Sequence, residues 1–240
     1  MGLETGTGIG DLVPANPLST DAVSSGDDHL RLIKTVMQSI TFLKNVVTFT
    51  ASGTWTRPAN VKKILIYCLG GGAGGNNGQT ASYAGGGGSG GGIAIKWLDV
   101  SAIASATVTI GASSPPGGPF AGHGNDTSFV TPGPVIQCLG RRGMASTTVY
   151  QHGAAAAPRS ESIGDIVFTG GDGSHGTLFI TGSAGIFYGG KGGGQGGARA
   201  EQNAATNSGG GGGGGSVSAG TFSAGGWGAE GYCIVLEFGW

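Results

Sequence analysis

Glycine supplies 55 of the 240 residues and limits the folds open to this chain more than any other residue type. It is concentrated in four runs, at 70–75, 85–92, 189–197 and 209–215. A helix through the last run would lose about 7 kcal/mol relative to alanine, at about 1 kcal/mol per glycine. An ordinary strand would have no side chains to pack there. Two arrangements remain: a flexible linker, or extended threefold segments packed side by side through backbone hydrogen bonds.

The placement of predicted strands favours ordered packing. Nine short segments are rich in β-branched or aromatic residues and bounded by Gly or Pro, which is typical of strands: 47–50, 63–69, 93–98, 107–110, 128–130, 135–139, 166–168, 178–181 and 232–238. The glycine runs alternate with these strands instead of joining two domains. We therefore expect a mainly β, sandwich-like body with packed polyglycine segments, held by several chains or a covering β layer because ordering glycine costs much entropy.

The charge balance excludes several classes of protein. Lys and Arg total 12 against 13 Asp and Glu, a net charge of −1, which is too small to keep a chain expanded by self-repulsion. It does not support a nucleic-acid-binding surface either. The sequence contains no apolar stretch of about 20 residues that would insert into a membrane. Because the glycines do not recur at every third position, the chain is not collagen-like.

The three cysteines, Cys68, Cys138 and Cys233, lie far apart and each sits inside an apolar run. Buried reduced thiols explain this pattern better than a disulfide or a metal site does. Reduced thiols fit synthesis in a reducing cytoplasm.

A helix is predicted near the N-terminus, over about 27–44. Its apolar residues recur at steps of three, four and three, the spacing of a coiled-coil seam: Leu30, Ile33, Met37 and Ile40. About two heptads make a helix that is marginal alone, so either other subunits or the body of the same chain must cover this seam. We favour other subunits. The segment ahead of the helix, 2–17, reads as an extended arm that docks on a partner, with a frayed terminus as the alternative.

Motifs for catalysis or cofactor binding are weak. The segment 185–192 matches the G-x-x-x-x-G-K part of a phosphate-binding loop, but Gly192 stands where a hydroxyl residue belongs and more glycine follows. The segment 170–178 resembles one calcium-binding nonapeptide, with His175 in place of an Asp and no tandem copy. Since no nucleophile elbow or paired metal-ligand motif is present, we expect no enzyme activity, no cofactor and no metal.

Aromatic residues between the glycine blocks are the candidates for binding another molecule. Aromatic rings offer a large contact area and suit both sugars and protein surfaces. The candidates are Tyr83, Phe120, Tyr150, Tyr188 and Trp227. Each of them is either a surface contact or a core residue.

Several stretches resemble bacteriophage tail-fibre proteins. The N-terminal pattern GTGIGDL at 6–12, Asn16-Pro17, and GDDHLRLIK at 26–34 is similar to the head segment of many phage fibres. FTASGTWTRP at 49–58, IKWLDV at 95–100 and GYCIVLEF at 231–238 are similar to the glycine-rich domain of such fibres.

This resemblance implies a virion protein, made in the host cytoplasm and assembled as a homotrimer. Residues 1–45 would form the virion-attachment arm and trimerisation helix, and 46–240 the glycine-rich body that binds a host-surface receptor, a protein or a glycan. Attachment to tail or neck proteins would involve Leu3, Ile9, Asp11, Leu12, Asn16 and Pro17. The alternative is a purely structural adaptor or cap of the virion without receptor binding.

Overall fold

The structure, a computed structural model, describes residues 30–37, 42–78, 84–117, 121–145, 161–181, 184–188, 192, 202–214, 216–218 and 221–239. Within these residues the chain is mainly β, with one helix, α1, at 30–37. The strands are β1 Phe42–Phe49, β2 Gly53–Thr56, β3 Val61–Leu69, β4 Ile93–Asp99, β5 Ser105–Thr109, β6 Thr127–Thr131, β7 Val135–Gly140, β8 Ile166–Phe168, β9 Thr177–Thr181, β10 Ala184–Tyr188, β11 Val217–Ser218, β12 Thr221–Phe222 and β13 Tyr232–Gly239.

All nine predicted strands are present, and the expectation of a mainly β, sandwich-like body is confirmed. The predicted helix was too long at its C-terminal end, because residues 42–44 belong to β1 and not to a helix. Strand β1 pairs with β13, with Phe42 opposite Gly239, and this long-range pairing overrides the local helical period. It also begins ahead of the domain boundary that we predicted at residue 46.

The strands form three antiparallel sheets. Sheet 1 has the order β1-β13-β3-β4-β8, sheet 2 the order β2-β5-β6-β7, and sheet 3 the order β12-β11-β10-β9. Sheets 1 and 2 face each other, and alternate residues of their strands fill the space between them. The buried core consists of Trp55, Val61, Ile64, Ile66, Cys68, Ala94, Val100, Ala106, Val108, Phe129, Cys138, Cys233 and Val235.

Seven strands of sheets 1 and 2 continue directly into glycine-rich segments that lie side by side. We call these segments the glycine bundle: 70–78, 86–92, 111–117, 121–125, 141–145, 170–174, 209–214 and 223–231. Segment 70–78 lies at its centre, and every N–H from Gly70 to Gly78 donates a backbone hydrogen bond. The bundle is therefore ordered backbone and not a linker, as the sequence led us to expect.

The hydrogen bonds of the central segment repeat every three residues. N–H groups three residues apart donate to the same neighbour, so three sets of donors reach three antiparallel segments: 70, 73 and 76 to 86–92; 71 and 74 to 121–125; and 72, 75 and 78 to 223–229. The Asn77 N–H donates instead to Gly117, on a segment that runs parallel to the central one. This is the threefold period of a polyproline II-type helix. Carbonyls of the same segment accept from three further neighbours, at Gly117, Gly143 and Gly212. Six segments thus surround the central one.

Such close packing requires residues without a side chain. A Cβ atom built on Gly72 would overlap the carbonyl of Gly210, and one on Gly75 would overlap the carbonyl of Gly213. Both partners are backbone atoms that cannot rotate out of the way. The glycine runs are therefore explained by the distance between neighbouring backbones.

The molecule has two distinct ends. Strand β13 leaves the bundle at Tyr232 and runs away from it, so Gly239 and its partner Phe42 lie at the end farthest from the bundle. The bundle adds about 28 Å beyond the sheets for nine residues at about 3.1 Å each. Helix α1 precedes β1 in the chain. The N-terminal side therefore joins the body at the end opposite the bundle.

Candidate interaction surface

The far end of the bundle, which we call the distal end, is marked by Gly78, Gly86, Gly117, Ser174 and Ser223. Hydrogen bonds bring these residues together: Gly78 donates to Ser223, Asn77 to Gly117, Asn76 to Gly86 and Gly87 to Ser174. The chain leaves and re-enters the bundle here several times. Strands β9 and β12 of sheet 3 also begin or end here, at Thr177 and Phe222. The distal end is where connecting segments converge.

Two asparagines fix the backbone near this end. The Asn76 Oδ1 atom accepts the Ala121 N–H at 2.9 Å, and the Asn77 Oδ1 atom accepts the Gly225 N–H at 2.9 Å. Asn76 is only 1 % exposed. At the ends of the neighbouring segments, these side-chain carbonyls accept the hydrogen bonds that backbone carbonyls accept elsewhere in the bundle. Neither asparagine was predicted to have this role, although a pair of asparagines directly after a glycine run was the available signal.

The candidate binding residues are distributed as follows. Tyr83, Phe120 and Tyr150 lie outside the described residues. For Tyr83 and Phe120 the flanking described segments, 70–78 with 84–92 and 111–117 with 121–125, meet at the distal end. Tyr188 ends β10 and pairs with Thr177 in sheet 3. Of the candidates that the structure describes, the backbone of Tyr188 therefore lies in sheet 3.

Trp227 lies on the flank of the bundle and is 48 % exposed, so it is a surface residue and not a core residue. The backbone N–H of Trp227 donates to the Asn203 Oδ1 atom at 2.9 Å, and its backbone carbonyl accepts the Ala204 N–H at 3.0 Å. These two bonds hold the backbone of an exposed indole in place. Such a ring can stack on a sugar or pack on a protein surface.

Among the residues proposed for the trimer seam, the described ones lie on α1. Leu30 is 56 % exposed, Ile33 39 % and Met37 56 %, whereas Val36, which the heptad assignment left out, is buried. Ile40 lies outside the described residues. So do the residues assigned to virion attachment, Leu3, Ile9, Asp11, Leu12, Asn16 and Pro17. In the single chain, this side of α1 is uncovered.

An ionic cluster joins sheet 2 to the bundle. Arg141 contacts Asp126 at 2.6 Å and also Glu161, and Asp126 accepts the Arg142 N–H at 2.8 Å. Burial would lower the pKa of Arg141, but the hydrogen bond with Glu161 and the two negative charges outweigh it and raise that pKa. Each partner of the cluster belongs to a different chain segment. The cluster therefore fixes the junction instead of presenting a reactive group.

His123 lies on segment 121–125 of the bundle, is partly buried, and is bonded as a neutral imidazole. Its Nδ1 atom accepts the Ala145 N–H at 2.8 Å. Burial, and then the positive charge of Arg142, lower the pKa of His123 below its ordinary value. A proton on Nδ1 would remove the acceptor, so this histidine serves the packing of segments 121–125 and 141–145.

The three cysteines converge in the core between the sheets, although they are far apart in sequence. All three are buried free thiols. The Cys68 Sγ atom lies 3.9 Å from the Cys233 Sγ atom and 3.8 Å from the Cys138 carbonyl oxygen. Hydrogen bonds with Cys138 and Cys233, together with burial, raise the pKa of Cys68 well above its ordinary value. The thiols act as small core residues.

A groove of about 280 Å³ beside the β6–β7 turn is lined by uncharged residues, among them Thr54, Thr107, Thr131 and Pro132. No group of three or more His, Cys, Asp or Glu side chains in the described ranges is arranged to hold a metal ion. No helix within those ranges is long and apolar enough to cross a membrane.

Comparison with protein families matches residues 47–236 to a glycine-rich domain. The matched region runs from within β1 to within β13, so it covers the two facing sheets and the whole glycine bundle. None of the curated proteins compared with the chain matches it. Because the match covers more than half of the chain, the chain belongs to the glycine-rich domain family.

Proposed function

We propose that this protein is a homotrimeric tail fibre of a bacteriophage, anchored to the virion by its N-terminus and binding a host cell-surface receptor through its glycine-rich body. The resemblance of residues 6–34 to phage fibre head segments motivates the attachment role. Tail or neck proteins are the proposed partners at that end, and a bacterial surface protein or glycan is the partner at the other. No catalytic step is assigned to the chain.

The observation that carries the proposal is the separation of the two ends. The chain enters the body at Phe42, at the end of sheet 1 away from the bundle, while the connecting segments converge at the distal end. The sheets and the bundle together span about 50 Å, at about 3.4 Å per strand residue and about 3.1 Å per bundle residue. A protein that is held at one end and binds at the other needs this polarity.

The glycine bundle supports receptor presentation because its hydrogen-bonded backbone is a rigid base for the connecting segments. Binding residues are disproportionately found on loops that a rigid scaffold positions. Three copies of a weak site on one trimer raise the apparent affinity by roughly 10²–10⁴ through effective concentration alone. Tight binding at any single site is not required.

Adsorption to cells tests the proposal. Purified full-length protein, fluorescently labelled, is mixed with bacteria that the phage encoding it infects, and binding and protection from infection are measured. We expect saturable binding that blocks infection, weakened by Trp227→Ala while the oligomeric mass stays unchanged. Ile136→Ala, at an exposed position of β7 in sheet 2, serves as the control and should bind like the wild type.

The rival role, a structural adaptor or cap of the virion, predicts a different outcome. In that case the intact oligomer does not bind to cells and does not protect them, yet it still incorporates into particles. Absence of cell binding by protein whose mass is that of the intact oligomer would overturn the receptor role and favour the adaptor.

A further inference from the structure

The face of sheet 1 that points away from sheet 2 is mainly apolar on all five strands. We call this the outer face; it consists of Leu43, Val46, Thr48, Leu65, Tyr67, Leu69, Ile93, Ile95, Trp97, Ile166, Phe168, Tyr232, Ile234, Leu236 and Phe238. These residues alternate with the buried residues that face sheet 2. The strand register places them in rows, for example Val46, Leu236, Leu65 and Trp97 side by side.

In the single chain the outer face is exposed at its edge strands β1 and β8 and at Trp97, whereas its other residues are partly buried and Leu69 is buried beside Gly209. Leu43, Val46, Ile166 and Phe168 are half-exposed, and Trp97 is 43 % exposed. An antiparallel sheet that covers a core on one side normally alternates apolar and polar residues, so that its other side is polar. Here both sides are apolar, as in a sheet that is buried on both faces. Trp97 and Phe238 contact each other on this face, with their ring centroids 4.9 Å apart and their planes tilted by 45°.

We propose that the outer face of sheet 1 is a subunit interface, covered by further copies of this chain. This inference extends the self-association in the proposed function from helix α1 to the body, and it does not depend on receptor binding. In a threefold assembly, the three outer faces turn toward the axis and each contacts both neighbours. Charged residues of this face stand at its rim, where Lys63 pairs with Asp99 in the register at the end away from the bundle.

The size of the outer face fits a subunit interface. Five strands spaced at about 4.8 Å and about seven residues long at about 3.4 Å each present roughly 500 Å² of flat area. A stable interface buries about 800 Å² per partner, so the sheet supplies more than half and the uncovered side of α1 adds to it. A contiguous apolar area of this size lies at the upper end of what a soluble monomer exposes.

Two surfaces on consecutive elements identify a second copy as the occupant. Helix α1 directly precedes β1, the edge strand of sheet 1, and its residues Leu30, Ile33 and Met37 are exposed together with the outer face. If this side of α1 covered the sheet, both surfaces would be buried. Leu30, Ile33 and Met37 are instead exposed, as are the edges of the outer face, and another copy carries the same two apolar surfaces to match them.

Sedimentation equilibrium of the full-length protein over a range of concentrations tests the inference. Val46→Glu and Ile166→Glu place a carboxylate at either edge of the outer face, at half-exposed positions that tolerate a charge in the monomer. We expect each variant to raise the midpoint concentration of dissociation by about 100-fold or more, since an unpaired buried carboxylate costs several kcal/mol. Val135→Glu on β7 is the matched control, because Val135 and Val46 are both 50 % exposed.

The control should change the midpoint by no more than about twofold, as exposed substitutions do. Circular dichroism of each variant verifies that it folds. A monomeric wild type, or folded Val46→Glu and Ile166→Glu variants that dissociate like Val135→Glu, would overturn the interface. These outcomes are separate from the adsorption assay, in which an intact oligomer that ignores cells would remove only the receptor role.

Discussion

The indole Nε1 of Trp55 donates a 2.7 Å hydrogen bond to the Glu237 Oε1 atom, and both residues are almost fully buried. Trp55 belongs to β2 of sheet 2 and Glu237 to β13 of sheet 1, so this bond crosses the core between the two sheets. The Glu237 Oε2 atom accepts a second bond from the Asn45 amide at 3.1 Å. A buried carboxylate is thus satisfied by neutral donors from both sheets.

Trp55→Phe should destabilise the fold by about 2 kcal/mol or more, because it leaves one oxygen of a buried carboxylate without its donor. Glu237→Gln keeps an acceptor for the indole and serves as the control, with a smaller loss. Urea unfolding at neutral pH measures the free energy of unfolding of both variants. Its dependence on urea concentration is compared with that of the wild type. Equal and small losses for the two variants would show that the bond does not join the sheets energetically.

Gly72→Ala tests the close packing of the bundle. The new Cβ would overlap the Gly210 carbonyl, and the neighbouring backbones cannot separate without breaking hydrogen bonds, so we expect a loss of about 3 kcal/mol or more. Gly53→Ala is the control, because its Cβ would meet only the Phe49 ring at 3.8 Å. That variant should change stability by less than about 1 kcal/mol. Similar unfolding midpoints for the two would contradict the bundle geometry.

Nine strands could be predicted from the sequence because each has β-branched or aromatic residues between turn residues. The missed strands carry that signal over only two or three residues: 54–56 in β2, 186–188 in β10, and no more than two residues in each of β11 and β12. The ordered glycine packing was also expected from composition and alternation with strands. Which six segments surround 70–78 could not be predicted, since identical glycines carry no information about their partners.

The apolar outer face of sheet 1 could not be predicted from the sequence either. An apolar run such as β3 does not by itself say which of its residues face the core. Only the register shows that Leu65 and Trp97 lie side by side away from the core. The convergence of the three thiols could not be predicted for the same reason. Cys68 and Cys233 become neighbours only through the pairing of β3 with β13.

Acidification should destabilise the protein through His123. The pKa of His123 in the fold is below its ordinary value of 6.5, so between about pH 7 and about pH 5 the unfolded chain takes up a proton that the folded chain resists. Stability therefore falls as the pH falls. His123→Asn keeps an acceptor for the Ala145 N–H without titrating, and it should reduce the difference between unfolding midpoints at the two pH values. If His123→Asn leaves the difference between the two midpoints unchanged, His123 is not the cause of the pH dependence.

The thiols should be inert in the folded protein. Because the pKa of Cys68 is raised and all three cysteines are buried, Ellman's reagent at mildly alkaline pH should find no reactive thiol in native protein. After denaturation, three thiols should react. Rapid reaction of the native protein, or fewer thiols after denaturation without reductant, would contradict the buried reduced cluster.

Amide hydrogen exchange of segments 70–78 and 86–92 tests the central claim that the glycine-rich sequence forms a rigid bundle that carries the distal end. Every N–H of Gly70–Gly78 is bonded to another segment, so these amides should exchange only through opening of the bundle, as slowly as those of β3 and β13. Exchange of these amides at the rate of an unstructured glycine chain, while β3 and β13 stay protected, would contradict it.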